Sequence, residues 1–136
     1  MTMDPKNTPA ADAAIPFMDF ANQAFWTAAR AGELMLRRCT ACARPHWYPR
    51  PQCPYCLGDT RWERASGRGT IYALSVDRTG AAPLAVAYVR LEEGVTMLTN
   101  VVDCDVERLA IGQAVVVRFR PGADGVPLPM FTPAGA

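Results

Sequence analysis

A mainly β fold is predicted by three features of this 136-residue chain. Two pairs of cysteines, each with two residues between its members, lie close together in the first half. A helical apolar pattern precedes these pairs, and five short strand patterns follow them. Together these features predict an N-terminal helix plus a rubredoxin-like zinc ribbon, followed by a five-stranded OB-fold barrel.

The sequence predicts that the chain is divided into three parts. Residues 1–16 are expected to form a mobile tail, because they contain Ala, Asp and Pro without periodicity. Residues 17–66 hold a helix and the ribbon, and residues 67–136 form the OB-fold domain. The boundary is placed at the Ser-Gly-Arg-Gly sequence of residues 66–69, which favours a turn.

The helix is expected to begin at Asp19, which can cap it, and to run to about Ala31, with Gly32 as its end. Two interpretations of its apolar stripe stay open. The stripe packs on the chain's own core, or it docks on a partner as amphipathic helices do. The residues of the stripe are Phe17, Phe20, Ala24, Phe25 and Ala28, with Trp26 on its flank.

The cysteine pairs are Cys39 with Cys42 and Cys53 with Cys56, with ten residues between the pairs. Two such knuckles complete a tetrahedron of thiolates around zinc, with no open coordination position, so a structural metal is predicted. Iron stays a chemical alternative, since tetrahedral sulfur suits both metals, and a redox dithiol is another. Disulfides are disfavoured because no secretory signal is seen. Gly58, after the second knuckle, is expected to be a left-handed turn residue.

Short strands are predicted on both sides of the metal site. One covers residues 33–38, where the pattern alternates around Leu34 and Leu36, and another covers residues 60–65. The segment between the knuckles, residues 43–52, is expected to form a short hairpin.

The five barrel strands are predicted at residues 70–79, 84–92, 95–102, 114–120 and 127–132. A helical turn at 105–110 between the third and fourth strands follows the order of an OB-fold, with an SH3-like barrel or a meander as alternatives. The fifth strand contains prolines and is predicted to be an edge strand. In the first strand, alternation places Ile71, Ala73 and Ser75 on one face, opposite Tyr72, Leu74 and Val76.

Composition and charge exclude several classes of function. The chain is 50% hydrophobic and 20% charged with a formal net charge of +1, which is typical of a globular domain and too weakly basic for broad nucleic-acid binding. No apolar run approaches the ~20 residues needed to span a bilayer, so we expect a cytoplasmic protein without membrane contact. The single histidine, His46, is expected at the ribbon hairpin tip, and Cys104 is expected to be a half-buried apolar residue. Neither is predicted to act as a nucleophile or a base.

Arginine dominates the charge around the metal site. Between Arg30 and Arg68 there are eight arginines and three acidic residues. Guanidinium groups bind phosphates and carboxylates bidentately, but a genome-wide preference for arginine is an alternative, because the chain has one lysine. Arg68, flanked by two glycines, is the candidate contact for a phosphate or a partner.

These segments resemble a known family of two-module zinc-ribbon/OB-fold proteins, long catalogued as a domain of unknown function. One departure is Ala43, where such proteins often have glycine. The matching residues are Phe25-Trp26, Gly32-Glu33-Leu34, the two cysteine pairs, Pro49-Arg50-Pro51, Gly67-Arg68-Gly69-Thr70-Ile71-Tyr72 and Pro129-Met130-Phe131-Thr132-Pro133.

The resemblance implies a small accessory subunit of a thiolase-superfamily enzyme that acts on acyl-CoA, such as a thiolase, an acyltransferase or a retro-aldolase. It implies a hetero-oligomer in which the thiolase-like partner carries the catalytic residues, while the OB module helps to bind CoA. Under this resemblance, Arg68 is the expected contact for a CoA phosphate or for the partner. A single-stranded nucleic-acid-binding module is the alternative. It is disfavoured because the chain from Gly69 onward contains five arginines and seven acidic residues, which is a net negative charge.

Overall fold

A computed structural model of the chain describes residues 21–135. The tail predicted at residues 1–16, together with Phe17, Asp19 and Phe20, lies outside this range. The elements are α1 (Gln23–Arg30), a 3-10 turn (Val106–Arg108) and eight strands: β1 (Met35–Cys39), β2 (Pro45–His46), β3 (Thr60–Arg64), β4 (Arg68–Asp77), β5 (Leu84–Leu91), β6 (Thr96–Val101), β7 (Ala114–Pro121) and β8 (Pro127–Pro133). Within residues 21–135, no helix has the length and apolar character that a membrane crossing requires.

The strands form a three-stranded ribbon sheet, in the order β2-β1-β3, and a closed five-stranded barrel, in the order β4-β5-β6-β8-β7. The 3-10 turn lies between the third and fourth barrel strands, as predicted. The mainly β class and the OB-fold barrel are therefore confirmed.

The hairpin predicted between the knuckles is only half formed. Its outgoing half is β2, which pairs with β1 through His46 and Arg37. The return half forms no strand and has an isolated bridge from Gln52 to Asp59. The prolines at positions 49 and 51 lack the backbone N–H that the hydrogen bonds between paired strands need, which accounts for the missing return strand.

The helix is shorter than predicted and faces inward. It begins at Gln23, so the predicted start at Asp19 is wrong, and it ends as predicted at Gly32, whose φ is 77°. Phe25 and Trp26 are buried in a core that continues through both the ribbon and the barrel. The ring of Phe25 lies 4.8 Å from that of Trp26 and 5.4 Å from that of Trp47, between ring centroids. These two side chains therefore pack on the chain's own core, and the alternative of a partner-docking stripe is wrong for them.

The alternation predicted for the first barrel strand is interrupted. The pairing of β4 with β5 shifts register between Ile71 and Ala73, which marks a β-bulge at Tyr72. Ile71 is buried, Tyr72 is exposed, and Leu74 packs against the core instead of lying opposite Ile71. A bulge inserts one residue and so reverses the faces that follow it.

The last strand is not an edge strand, because β8 closes the barrel. It pairs with β7 along its whole length and meets β6 in parallel at the single pair Val101–Phe131. The carbonyl oxygens of Phe131 and Pro129 accept from the Val102 N–H at 2.8 Å and the Thr99 hydroxyl at 3.1 Å, so odd-numbered residues of β8 face β6. The three prolines of β8, at positions 127, 129 and 133, are all odd-numbered. Their missing N–H groups fall on the β6 side, where the strand tolerates them.

Candidate metal centre and neighbouring surfaces

The four sulfur atoms singled out from the sequence come together in the ribbon, within 4.8 Å of one another. The Sγ atoms of Cys39 and Cys56 are 3.4 Å apart, and those of Cys42 and Cys53 are 3.7 Å apart. A tetrahedral zinc site with Zn–S bonds of about 2.3 Å places its sulfurs about 3.8 Å apart. The arrangement therefore fits one zinc ion with four thiolate ligands.

Backbone amides donate hydrogen bonds to the sulfur atoms of the two buried cysteines of the cluster, Cys39 and Cys53. The N–H groups of Cys42 and Ala41 each donate to the Cys39 Sγ at 3.3 Å, and the Tyr55 N–H donates to the Cys53 Sγ at 3.4 Å. Donation from Cys42 is the largest cause that lowers the pKa of Cys39, to about 6. Since a metal binds the thiolate, these amides prepare the site for a cation.

The residue with left-handed backbone after the second knuckle is Leu57, with a φ of 64°. The prediction that Gly58 takes this conformation is wrong, and its lack of a side chain has another cause. A Cβ at Gly58 would lie 3.1 Å from the Ala41 Cβ and 3.3 Å from the Sγ atoms of Cys39 and Cys56. Glycine is therefore needed at this position because the sulfur cluster lies against the backbone.

His46 is buried in β2, so its predicted place at a hairpin tip is wrong. Its Nε2 accepts the backbone N–H of Arg50 at 3.1 Å, so in the neutral ring Nδ1 carries the proton. Within residues 21–135, Nδ1 has no hydrogen-bond partner. Burial is the main cause that lowers the pKa of the imidazole, with the charges of Arg37 and Arg50 adding to it. His46 is therefore a neutral residue that holds the following loop.

Cys104 is half-buried and packs against the barrel core, as expected of a small apolar residue. Burial is the main cause that raises the pKa of its thiol, and the charges of Asp105 and Asp103 raise it further. A protonated thiol is a poor nucleophile at neutral pH. No hydrogen bond in the described part of the chain joins Cys104 to His46.

Arg68 is the first residue of β4, and its guanidinium already has a carboxylate partner. Its Nε and Nη2 donate to the two carboxylate oxygens of Glu92 at 2.9 and 3.0 Å. The side chain is nevertheless largely exposed. It lines a shallow groove of about 340 Å³, together with Thr70, Val115 and Ala134 among others.

The glycines beside Arg68 are explained by packing within the barrel. A Cβ on Gly67 would lie 2.8 Å from the Val117 Cγ1, and a Cβ on Gly69 would lie 2.5 Å from the Arg90 carbonyl oxygen. Both glycines therefore allow β4 to lie close to its neighbouring strands. The close approach of a ligand is not needed to account for them.

An exposed apolar patch on the barrel was missed by the sequence reasoning. Tyr72, Tyr88 and Leu98 project outward from β4, β5 and β6, with Arg90 beside them. We call these four residues the Tyr88 face. In β5 the alternation of the sequence indicates the exposure of Tyr88, because its neighbours Ala87 and Val89 face inward. In β4 the β-bulge at Tyr72 interrupts the alternation, so the exposure of Tyr72 did not follow from the sequence pattern.

Two family descriptions match the chain in succession. The rubredoxin-like zinc ribbon domain of ChsH2 matches residues 26–63, and the C-terminal OB-fold domain of ChsH2 matches residues 62–120. The two matches meet inside β3. The ribbon match and the four-sulfur cluster together support a structural zinc.

Two curated proteins illustrate the range of relatives. A DUF35 domain-containing scaffold protein of Methanocaldococcus jannaschii is 36% identical over 101 residues, which cover 65% of this chain and 72% of that protein. A probable enoyl-CoA hydratase alpha subunit of Thermomonospora curvata is 34% identical over 121 residues, which cover 83% of this chain. The chain spans 38% of the length of that second relative.

Two solved structures share the fold. The matched chain of the Ltp2-ChsH2(DUF35) aldolase has a TM-score of 0.75 and 31% identity, with 88% of this chain and 98% of that chain covered. A DUF35-family protein of unknown function from Sulfolobus solfataricus has a TM-score of 0.66 at 11% identity, with 88% of this chain and 89% of that chain covered. At that identity the second likeness concerns the fold alone.

Proposed function

We propose, since the chain belongs to the DUF35 family of paired zinc-ribbon and OB-fold domains, that it is a zinc-containing accessory subunit of an enzyme that acts on acyl-CoA. The observation that carries the proposal is the match to the Ltp2-ChsH2(DUF35) aldolase, which covers 98% of the matched chain at 31% identity. Relatives described as a scaffold protein and as a hydratase subunit support the same role.

Zinc has a structural role in this proposal. Cys39, Cys42, Cys53 and Cys56 hold it, and their four thiolates leave no position for a substrate or water. The ion joins the two knuckles, which are otherwise connected by the short β1 to β3 sheet and by the hydrogen bonds from Thr40 to the Asp59 carbonyl oxygen. The chain's own residues around the site supply amide donors and no general base.

The catalytic groups belong to a thiolase-like partner in this proposal. Acyl transfer of the thiolase type needs a cysteine nucleophile with a base in hydrogen-bond reach. Cys104, whose pKa is raised by burial, and His46, whose Nε2 is occupied by the Arg50 amide, form no such pair. The complex is a hetero-oligomer in the cytoplasm, and nucleic acid is not its ligand.

Arg68 is proposed to contact a CoA phosphate or the partner. Support comes from its exposed guanidinium and from the groove that it lines beside β7. Glu92 holds the guanidinium in place, and a phosphate competes with this carboxylate for the same donors.

The test is co-expression with each thiolase-like protein of the source organism, followed by purification through a tag on this chain alone. A stable complex with acyl-CoA turnover is expected, and Cys104→Ala with His46→Gln should stay within a few-fold of the parent turnover. Arg68→Gln should raise the KM for acyl-CoA about tenfold, since a charged hydrogen bond contributes roughly 1.5–3 kcal/mol, while Arg108→Gln should not. A loss of turnover of three orders of magnitude in the double variant, with the complex intact, would place catalysis in this chain.

A further inference from the structure

The Tyr88 face is an apolar surface that the chain leaves uncovered in its described part. Tyr72, Tyr88 and Leu98 are 56%, 47% and 56% exposed. Tyr88 lies directly opposite Leu98 across the β5–β6 pairing, and opposite Ala73 across the β4–β5 pairing. The three side chains therefore form one continuous patch on three adjacent strands. An exposed cluster of this kind marks an interaction site in a soluble domain.

Arg90 gives the patch a specific electrostatic character. Its guanidinium carbon lies 4.5 Å from the centroid of the Tyr72 ring, so the cation rests on the aromatic face. Within residues 21–135, no carboxylate lies within ion-pair distance of Arg90. Four other barrel arginines, Arg68, Arg78, Arg118 and Arg120, are each paired with an acidic side chain. The Tyr88 face thus presents an ordered cation that can bind a carboxylate from another molecule.

The surroundings of the patch argue against nucleic acid as its occupant. The residues that flank Arg90 on the outer surface, Thr70 and Thr96, are neutral, and so is Asn100 on the next row of β6. A single-stranded nucleic acid needs a groove with several cations along its backbone. Arg68, which lines the adjoining groove, is already paired with Glu92, so among the described residues Arg90 is the one unpaired guanidinium of that groove and does not provide such a row of cations.

A second copy of the chain is also a poor occupant. A twofold interface presents the same patch from both copies, and the Tyr88 face contains no carboxylate that could neutralise either Arg90. Two unneutralised cations would then be removed from water together, which is costly. A surface that is mainly aliphatic and carries a carboxylate complements the patch better.

We propose that the Tyr88 face is the docking surface for the catalytic subunit of the acyl-CoA enzyme, which offers it an aliphatic patch bearing one carboxylate opposite Arg90. This inference rests on the proposed function. The face adjoins the groove that Arg68 lines, because Arg90 lines that groove too. Docking there places the partner beside the proposed CoA contact.

The experiment uses the full chain co-expressed with the thiolase-like protein of the source organism that co-purifies with it. Leu98→Asp and Arg90→Glu should each raise the Kd of the complex at least about tenfold, whereas Arg90→Lys should raise it less. Matched controls are Leu57→Asp, at an exposed leucine of the ribbon, and Arg108→Glu, at another exposed arginine. Circular dichroism and zinc content should show that all variants are folded.

The outcomes separate the two proposals. If the parent chain forms no complex, the proposed function fails. If the parent forms one and Leu98→Asp and Arg90→Glu bind within twofold of it, or the controls weaken binding equally, the docking surface is wrong while the accessory role stands. Binding of a thirty-nucleotide oligo-dT that Tyr88→Ala abolishes, or a homodimer that Leu98→Asp dissociates, would also overturn the docking proposal.

Discussion

Ala43 and Leu57 occupy equivalent positions in the two halves of the ribbon, each directly after the second cysteine of its pair, and both have a φ of 64°. Their backbone N–H groups donate to the carbonyl oxygens of Cys39 at 3.1 Å and Cys53 at 2.9 Å, respectively. The ribbon thus repeats one knuckle, and in each copy a residue with a β-carbon takes the left-handed conformation. That conformation costs such a residue about 1–2 kcal/mol.

Replacement of Ala43 by glycine should stabilise the zinc-loaded protein by about 0.5–1 kcal/mol. The gain from relieved strain exceeds the roughly 0.4–1 kcal/mol lost through a more flexible unfolded chain. Urea unfolding of the zinc-loaded protein measures the difference. The comparison variant, Gly58→Ala, should have the opposite effect, because its Cβ would lie against the sulfur cluster. This overpacking should lower the free energy of unfolding by about 1–3 kcal/mol. A destabilised Ala43→Gly protein would contradict the role given to this backbone.

Purified protein should carry one zinc ion per chain, held by the four clustered thiolates. Cys53→Ser should lose the metal and unfold the ribbon, because a structural zinc contributes ~10 kcal/mol or more to folding in small modules. Cys104→Ser is the control and should keep its zinc. Metal analysis by mass spectrometry decides the matter, and a visible absorption band would reveal iron in place of zinc.

Phe25→Ala should lower the free energy of unfolding by about 3–5 kcal/mol, because the ring is 3% exposed and packs on Trp26 and Trp47. Thr27→Ala, at an exposed position of α1, should change it little. Thermal unfolding of both variants provides the comparison. A loss below about 1 kcal/mol, combined with weaker partner binding, would return the helix to a docking role.

The Arg68–Glu92 pair predicts a local dependence on pH. Hydrogen bonds from Arg68 are the main cause that lowers the pKa of Glu92. The contribution of the pair to stability is therefore present above the ordinary pKa of a glutamate and is lost as pH falls through the lowered value. Both side chains are exposed, so the effect on global stability is small.

The measurement is a carboxyl NMR titration of the parent and of Arg68→Gln. In the variant, the pKa of Glu92 should rise toward its ordinary value. Asp77 serves as an internal reference, because its pKa is lowered by the hydroxyl and amide of Thr79, which the substitution leaves in place. An unchanged Glu92 would mean that the ion pair is absent in solution.

The metal site was predictable because its determinants are local. The spacing of the cysteines fixes the two knuckles, and short alternating segments fix the order of the barrel strands. The departure at Ala43 was also visible in the sequence, and its positive φ explains why glycine is favoured there.

Three of the misassignments share one cause, which is that they depended on parts of the chain outside the segment concerned. The inward face of α1 is set by Trp47 and the barrel, which a helical stripe alone does not reveal. The bulge at Tyr72 is set by pairing with β5, and so the faces of Ile71 and Leu74 could not follow from simple alternation. The place of His46 is set by its pairing with Arg37. Each of these features belongs to tertiary pairing and not to local preference.

The prolines of β8 determine which pair of neighbouring strands in the barrel separates most easily. Since they remove amide donors on the β6 side, the seam between β6 and β8 has a single paired position, and the buried ring of Phe131 holds it closed. The closure of the barrel at this seam therefore depends largely on apolar burial. The stabilisation from apolar burial weakens on cooling, so the β6–β8 seam should be the first part of the barrel to open locally at low temperature. Amide exchange should then be fastest along it, while the β7–β8 hairpin stays protected as one unit.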